Sequence, residues 1–166
     1  MVTGDPAMTE ATTGTKVHEF ETKNAADTIR AGHEIAKLLA PPKFLILKGD
    51  LGAGKTTLVK GIAEALDAAE PDEVTSPTFT LMHEYEGTRH EHGKVEPVML
   101  YHLDLYRIEQ ERQLDSLGLD EIATPDSIVL VEWGDKFPSV AKRSNGEIVM
   151  KTTGGDSRKI TLTFKD

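Results

Sequence analysis

The chain has 166 residues, no cysteine, and 19 Lys and Arg against 28 Asp and Glu, for a formal charge of −9. That length suits one domain able to bury a core without staples, and the missing thiols exclude disulfides, thiolate zinc sites, iron–sulfur clusters and a cysteine nucleophile. No apolar run approaches the roughly 20 residues that cross a bilayer, and the first residues lack the order of a secretory signal, so a cytoplasmic protein is expected.

Residues 1–15 carry almost nothing large and apolar, which predicts a disordered tail and leaves 16–166 as a single domain. Thr22 or Asn24 can cap a helix in which Ile29, Gly32, Ile35, Ala36 and Leu39 recur at helical spacing until Pro41 and Pro42. Phe44, Leu45, Ile46 and Leu47 form a wholly apolar run, as expected of a central strand covered on both faces. A glycine-rich turn follows, then a helix over 55–66 with Leu58, Ile62, Ala65 and Leu66 on one side. Residues 75–80 are a polar loop around Pro77. Strands over 81–85 and 98–103 flank a polar turn at 86–96, and 105–123 reads as a short helical stretch broken at Gly118. Ile128, Val129, Leu130 and Val131 make a second buried strand, and 147–152 and 159–164 alternate around Gly154, Gly155 and Asp156 as a hairpin. The sum is an α/β domain of three layers, α/β/α, with a mainly parallel central sheet and added antiparallel hairpins.

The acidic balance argues against unaided binding to a nucleic-acid backbone, which depends on Lys and Arg releasing counterions. Only 136–166 is basic, with seven basic against three acidic side chains. Its plain reading is the solvated face of a hairpin; the other is a docking face for an acidic partner or RNA.

Gly49, Asp50, Leu51, Gly52, Ala53, Gly54, Lys55 and Thr56 satisfy the phosphate-loop pattern, two glycines four residues apart followed by Lys and then Ser or Thr. Glycines let the loop curl so that backbone N–H groups point inward at a β-phosphate, Lys55 reaches the β and γ oxygens, and the Thr56 hydroxyl ligates Mg²⁺. The helix that follows adds its positive end. Magnesium–nucleotide chemistry next needs a carboxylate where a buried strand ends beside the phosphates. Asp104 and Glu132 both qualify: one holds the metal, directly or through water, while the other orients or deprotonates the attacking water, and spacing does not assign which. A hydroxyl of the 75–80 loop could sense the γ-phosphate, or the loop is a plain turn. Trp133, the sole tryptophan, either lines the site or packs. His90 and His92 flank Glu91 in the predicted turn, where a solvated turn is preferred to a metal site for want of a third ligand.

Four ordered motifs carry a family resemblance: residues 49–57, then 76–81 (Ser-Pro-Thr-Phe-Thr-Leu), 101–107 (Tyr-His-Leu-Asp-Leu-Tyr-Arg) and 131–134 (Val-Glu-Trp-Gly). Over roughly residues 20–164 the chain resembles TsaE, formerly YjeE, the ATPase of bacterial tRNA threonylcarbamoyladenosine synthesis. The resemblance implies a P-loop ATPase using ATP and Mg²⁺, monomeric alone and acting with TsaB and TsaD. TsaD transfers the threonylcarbamoyl group to the adenosine beside the anticodon of tRNAs that read ANN codons. ATP hydrolysis to ADP and phosphate would reset the TsaB–TsaD complex between cycles, and tRNA would be met only through that complex. Carried onto this chain, Gly49, Asp50, Leu51, Gly52, Ala53, Gly54, Lys55, Thr56 and Thr57 form the phosphate cradle, and Thr56 and Glu132 look like the Mg²⁺ ligands. Asp104 looks like the water-positioning carboxylate, so that Lys55, Asp104 and Glu132 make the catalytic set. Trp133, Arg158 and the segment 22–25 would approach the nucleotide. The turn with His90 and His92 looks longer than usual for the family. Two other readings compete with it: a P-loop kinase of a small metabolite, and a nucleotide-controlled binding module that hydrolyses nothing. A GTPase is disfavoured because no Asn-Lys-x-Asp motif is present.

Overall fold

A computed structural model describes residues 9–10, 14–50 and 52–165. Among them, eight strands form one sheet: β1 (Thr9–Glu10), β2 (Thr15–Thr22), β3 (Lys43–Gly49), β4 (Met82–Glu91), β5 (Lys94–Asp104), β6 (Ser127–Glu132), β7 (Gly146–Gly154) and β8 (Ser157–Lys165). Four helices accompany them: α1 (Ala25–Leu38), α2 (Lys55–Ala65), α3 (Leu119–Ile122) and α4 (Pro138–Arg143). The strand order is β1-β2-β8-β7-β3-β6-β5-β4. β7, β3, β6 and β5 run parallel in the middle, while β4 pairs antiparallel at one edge and β8, β2 and β1 at the other. The mainly parallel centre with antiparallel additions is as expected from the sequence.

Every residue of β6 is buried, because both faces of this strand are covered. Leu45, Leu47, Leu100, Ile128 and Leu130 face Ile35, Leu39, Leu58 and Ile62 of the α1–α2 side. Their alternates Phe44, Tyr101, Leu103, Val129 and Val131 face Leu114, Ile122, Phe137 and Val140 on the other side. That second layer is made of short pieces, a 3₁₀ turn at Glu111–Leu117 with α3 and α4, so the short helical stretch expected over 105–123 begins only at Glu111 and is 3₁₀ up to its break. The break falls at Gly118, whose φ of 66° is left-handed.

Three further differences have local causes. β2 alternates buried and exposed positions from His18 to Thr22, a signal concealed by its polar composition, and Asn24, not Thr22, caps α1 by accepting from the Asp27 N–H at 2.8 Å. The polar turn expected at 86–96 shrinks to His92 and Gly93, both at positive φ (52° and 76°), the geometry of a tight two-residue hairpin loop. Solvent-facing strand ends read as a turn because they lack apolar alternation. Of the expected tail, 1–8 and 11–13 lie outside the described residues; Thr9–Glu10 pairs with Val17 and Lys16, and Thr15 opens β2.

Helix α2 is fixed at both ends. At its start it carries the loop after β3; past its end, the Thr88 N–H of the long hairpin donates to the Leu66 carbonyl at 2.7 Å. A Cβ at Gly87 would collide with that same carbonyl. Along its length α2 meets α1 backbone to backbone: a Cβ at Gly32 would stand 2.7 Å from the Leu58 carbonyl, and one at Gly61 would strike the Ile29 carbonyl. Gly61→Ala is therefore expected to destabilise the fold by about 1–3 kcal/mol, since inserting a methyl forces the helices apart. Urea unfolding measures this, and an unchanged midpoint would show that the helices part freely.

Candidate functional site

The loop between β3 and α2 turns on two glycines with left-handed φ, Gly52 at 82° and Gly54 at 95°. Gly54 is the helix N-cap and supplies no side chain, so the first N–H groups of α2 have no partner from within the helix or from a capping side chain. The Ala53 N–H donates to the Asp50 carbonyl at 2.9 Å and tightens the curl; Leu51 lies outside the described residues. Among the described residues other than its chain neighbours, nothing stands within 4 Å of where a Cβ on Gly52 would point. A cleft of about 290 Å³ opens beside the loop, lined by Gly49, Asp50, Lys55, Trp133 and Met150 among others.

Arg158 braces this loop from the β7–β8 hairpin. Its Nε donates to the Ala53 carbonyl at 2.8 Å and one terminal nitrogen to the Gly52 carbonyl at 3.2 Å, while the other holds the carbonyls of Gly155 and Ser157. Because C=O and the next N–H lie trans on one peptide plane, fixing the Ala53 carbonyl turns the Gly54 N–H to the opposite side. Thr22 pairs in register with Arg158, but its hydroxyl is turned inward onto Thr28 Oγ1 at 3.1 Å.

Two carboxylates meet the loop from the sheet. In the parallel pairing of β5 with β6, Asp104 stands opposite Glu132 and His102 opposite Leu130, so all three polar side chains share the α1–α2 face with Leu100 and Leu130. Lys55 Nζ lies 3.3 Å from Glu132 Oε1 and donates to the Gly49 carbonyl at 2.7 Å, the two side chains being 9% and 6% exposed. His102 Nε2 donates to Glu132 Oε2 at 2.7 Å, as it must to a carboxylate that only accepts. Burial pushes the Glu132 carboxyl up, but the His102 hydrogen bond and the charge and hydrogen bond of Lys55 outweigh it and hold the group below its ordinary value. Asp104 is held separately: the Thr78 hydroxyl donates to Oδ2 and the Tyr106 N–H to Oδ1, both at 3.0 Å. Ser76 Oγ lies 2.8 Å from Thr78 Oγ1, tying the 75–80 loop into the same network. Trp133 sits at φ 63°, a left-handed conformation that is rare for a bulky residue and characteristic of functional sites. The Lys55 ammonium lies 5.4 Å from its ring centroid, and the Tyr106 ring centroid lies 5.2 Å from it at a tilt of 55°.

A family model described as the threonylcarbamoyl adenosine biosynthesis protein TsaE matches residues 22–160. The chain belongs to the TsaE family. Curated relatives described as the tRNA threonylcarbamoyladenosine biosynthesis protein TsaE include one from Bacillus subtilis, 39% identical over 145 residues, 87% of this chain and 84% of that protein. Another, from Treponema pallidum, is 34% identical over 84% of this chain and 96% of its own length. Among solved structures, Bacillus subtilis YdiB superposes with a TM-score of 0.62 at 32% identity, covering 92% of this chain and 88% of that one. The fold and the family therefore agree on a P-loop domain of the threonylcarbamoyladenosine pathway.

The residues singled out from the sequence do not all converge. Gly49, Asp50, Lys55, Glu132 and Trp133 come together, and Asp104 joins them through the strand register; Thr56 and Thr57 lie half-buried in the first turn of α2, and Leu51 lies outside the described residues. Arg158 touches the loop through backbone carbonyls. His90 and His92 lie at the far end of the hairpin, His90 3.8 Å from Asp67, and among the described residues no three His, Asp or Glu side chains gather where one metal ion would hold them. No helix among the described residues is long and apolar enough to cross a membrane. His102 and Tyr106 were passed over. Both lie within two residues of Asp104, and period-2 alternation alone puts His102 on the carboxylate's face. Removing the brace with Arg158→Ala is expected to weaken ADP binding about tenfold while leaving the unfolding midpoint nearly unchanged, because it frees loop carbonyls and removes no apolar core side chain. Calorimetry with ADP checks this; unchanged affinity would make the brace irrelevant to the loop's shape.

Proposed function

We propose that the chain is an ATPase of the threonylcarbamoyladenosine machinery that binds Mg²⁺–ATP at the 49–56 loop, hydrolyses it to ADP and phosphate, and so resets a TsaB–TsaD complex between cycles. The observation that carries the reading is the pairing of Asp104 with Glu132 on adjacent parallel strands, on the face that also presents Lys55. Thr56 and Glu132 supply hard oxygen donors, which suit Mg²⁺, and such sites need only one or two carboxylates beside phosphate oxygens and water. Bound there, Mg²⁺ would neutralise charge on the β- and γ-phosphate oxygens.

The chain's own groups divide the remaining work. The curled backbone from Gly49 to Thr56 and the positive end of α2 receive the phosphates, with Thr57 in the same turn. Lys55 exchanges the Gly49 carbonyl and Glu132 for phosphate oxygens, which releases a Glu132 oxygen for the metal. Asp104, fixed by Thr78 and the Tyr106 N–H, orients the attacking water. Thr78 also links that carboxylate to the 75–80 loop, the segment placed to register whether a γ-phosphate is present. Trp133 shields Lys55 and the cleft. Arg158 contributes through the shape of the loop.

Activity alone is expected to be low, with TsaB–TsaD raising phosphate release by at least about tenfold, since P-loop enzymes commonly gain a missing transition-state group from a partner. Phosphate release from Mg²⁺–ATP, with and without the complex, tests this, and an acceptor phosphorylated in place of free phosphate would sink it. Asp104→Asn should bind ATP nearly as the unaltered chain does while hydrolysis falls by about 10²–10⁴. Glu132→Ala should instead raise the Mg²⁺ requirement; if the two phenotypes are exchanged, so are the two roles.

A further inference from the structure

His102 lies in the interior of β5 and is 0% exposed. An aliphatic residue would pack there without desolvating an imidazole, so a polar ring at this position needs a reason. Its Nδ1 is buried with no hydrogen-bond partner among the described residues, which leaves the ring a single polar contact, Nε2 to Glu132 Oε2 at 2.7 Å. The other oxygen of the same carboxylate is held by Lys55 at 3.3 Å. The two holders differ in permanence. Lys55 stands on a flexible stem and reaches a loop carbonyl as well. His102 is locked between Leu100 and Asp104 on one strand face and pairs in register with Leu130.

We propose that His102 is a positioning residue for Glu132: its Nε2–H pins Oε2 against the sheet, so that when Lys55 leaves, Oε1 alone is presented to the loop. Glu132 then offers one fixed oxygen instead of a rotating pair. This deepens the reading of the site as a Mg²⁺–nucleotide site and rests on it. The buried orphan Nδ1 is consistent with a ring kept for one bond only.

The test uses the full chain and its sole tryptophan. Trp133 stands 5.4 Å from Lys55 Nζ, so its fluorescence reports ligand arriving at the loop. Mg²⁺ is titrated at fixed ADP, and ADP affinity is measured separately in EDTA by calorimetry. His102→Gln places an amide where Nε2 lies, whereas His102→Asn places it where Nδ1 lies, so the two differ in one hydrogen bond at similar polarity. The expected result is a half-saturating Mg²⁺ concentration raised about 10–100-fold in His102→Asn and nearly restored in His102→Gln, as for other groups that orient a metal ligand. ADP affinity in EDTA should stay the same in all three proteins. Should His102→Asn not fold, His102→Leu takes its place with the same expectation, because it removes the ring without burying a misplaced amide. Equal Mg²⁺ requirements in the glutamine variant and its partner would overturn the proposal, as would a loss of ADP affinity in EDTA that matches the shift. If the unaltered chain binds ADP but shows no Mg²⁺ dependence, or binds no nucleotide, the reading of the site fails first and the role of His102 goes with it.

Discussion

Burying the Glu132 carboxylate beside Lys55 is the constraint on which the site is organised. Each ion taken out of water costs several kcal/mol, a loss recovered only if the partner is close and the remaining lone pairs are used. Here both conditions are met within the chain, with Lys55 on one oxygen and His102 on the other. Asp104, the second carboxylate on the same edge, is given separate partners in Thr78 and the Tyr106 amide. Two acids therefore stand side by side at the end of a dry sheet, each with hydrogen-bond partners of its own. Phosphate oxygens entering the loop would compete for Lys55, which couples occupancy of the loop to the freedom of Glu132.

The parallel and antiparallel parts of the sheet serve different ends. The parallel centre aligns the ends of β3, β5 and β6 in one row, and the hairpins deliver support from the flanks. The β7–β8 hairpin does so through Arg158. This spends much of the positive charge that makes the C-terminal segment stand out in the sequence. Lys136 donates to the carbonyls of Leu105, Tyr106 and Ile108, Arg143 pairs with Asp120, and Lys159 with Glu19. Four of the seven basic side chains of this segment, Lys136, Arg143, Arg158 and Lys159, thus hold loops and strands in place, which favours the plain reading of its charge over a docking face.

What could be read directly from the chain was what rests on strong local signals. The apolar runs at 44–47 and 128–131 announce strands covered on both faces, and the glycine spacing at 49–54 announces a loop that only positive φ can close. Those two signals suffice for the fold class and half of the site. Others were concealed for identifiable reasons. β2 fills most of its inward positions with polar Thr15, His18 and Thr22, and the outer halves of β4 and β5 bury no residue, so they lack the apolar alternation by which strands are recognised. The 3₁₀ turn and short helices of the second layer bury single residues, such as Leu114 and Val140, too sparsely to set up a period. The function of Arg158 and His102 depends on partners 105 and 30 residues away, a separation to which local pattern is blind.

The clasp between the long hairpin and the residues just past α2 bears on how a bound nucleotide could make itself felt. With its first turn held by the braced loop, its flank pressed backbone to backbone on α1, and the Leu66 carbonyl taken by Thr88, α2 is a strut with no slack at either end. A strut of that kind transmits no stroke. A difference between one nucleotide and the next would therefore fall to the irregular segment around 75–81, tied to Asp104 through the Thr78 hydroxyl, since the neighbouring segment 105–110 is anchored by buried Leu105 and Ile108 and by the Lys136 ammonium on its carbonyls. Phe79, 82% exposed and stacked under Arg107, rides on the 75–81 loop. A partner that sensed the nucleotide here would meet that loop before it met the helix or the sheet.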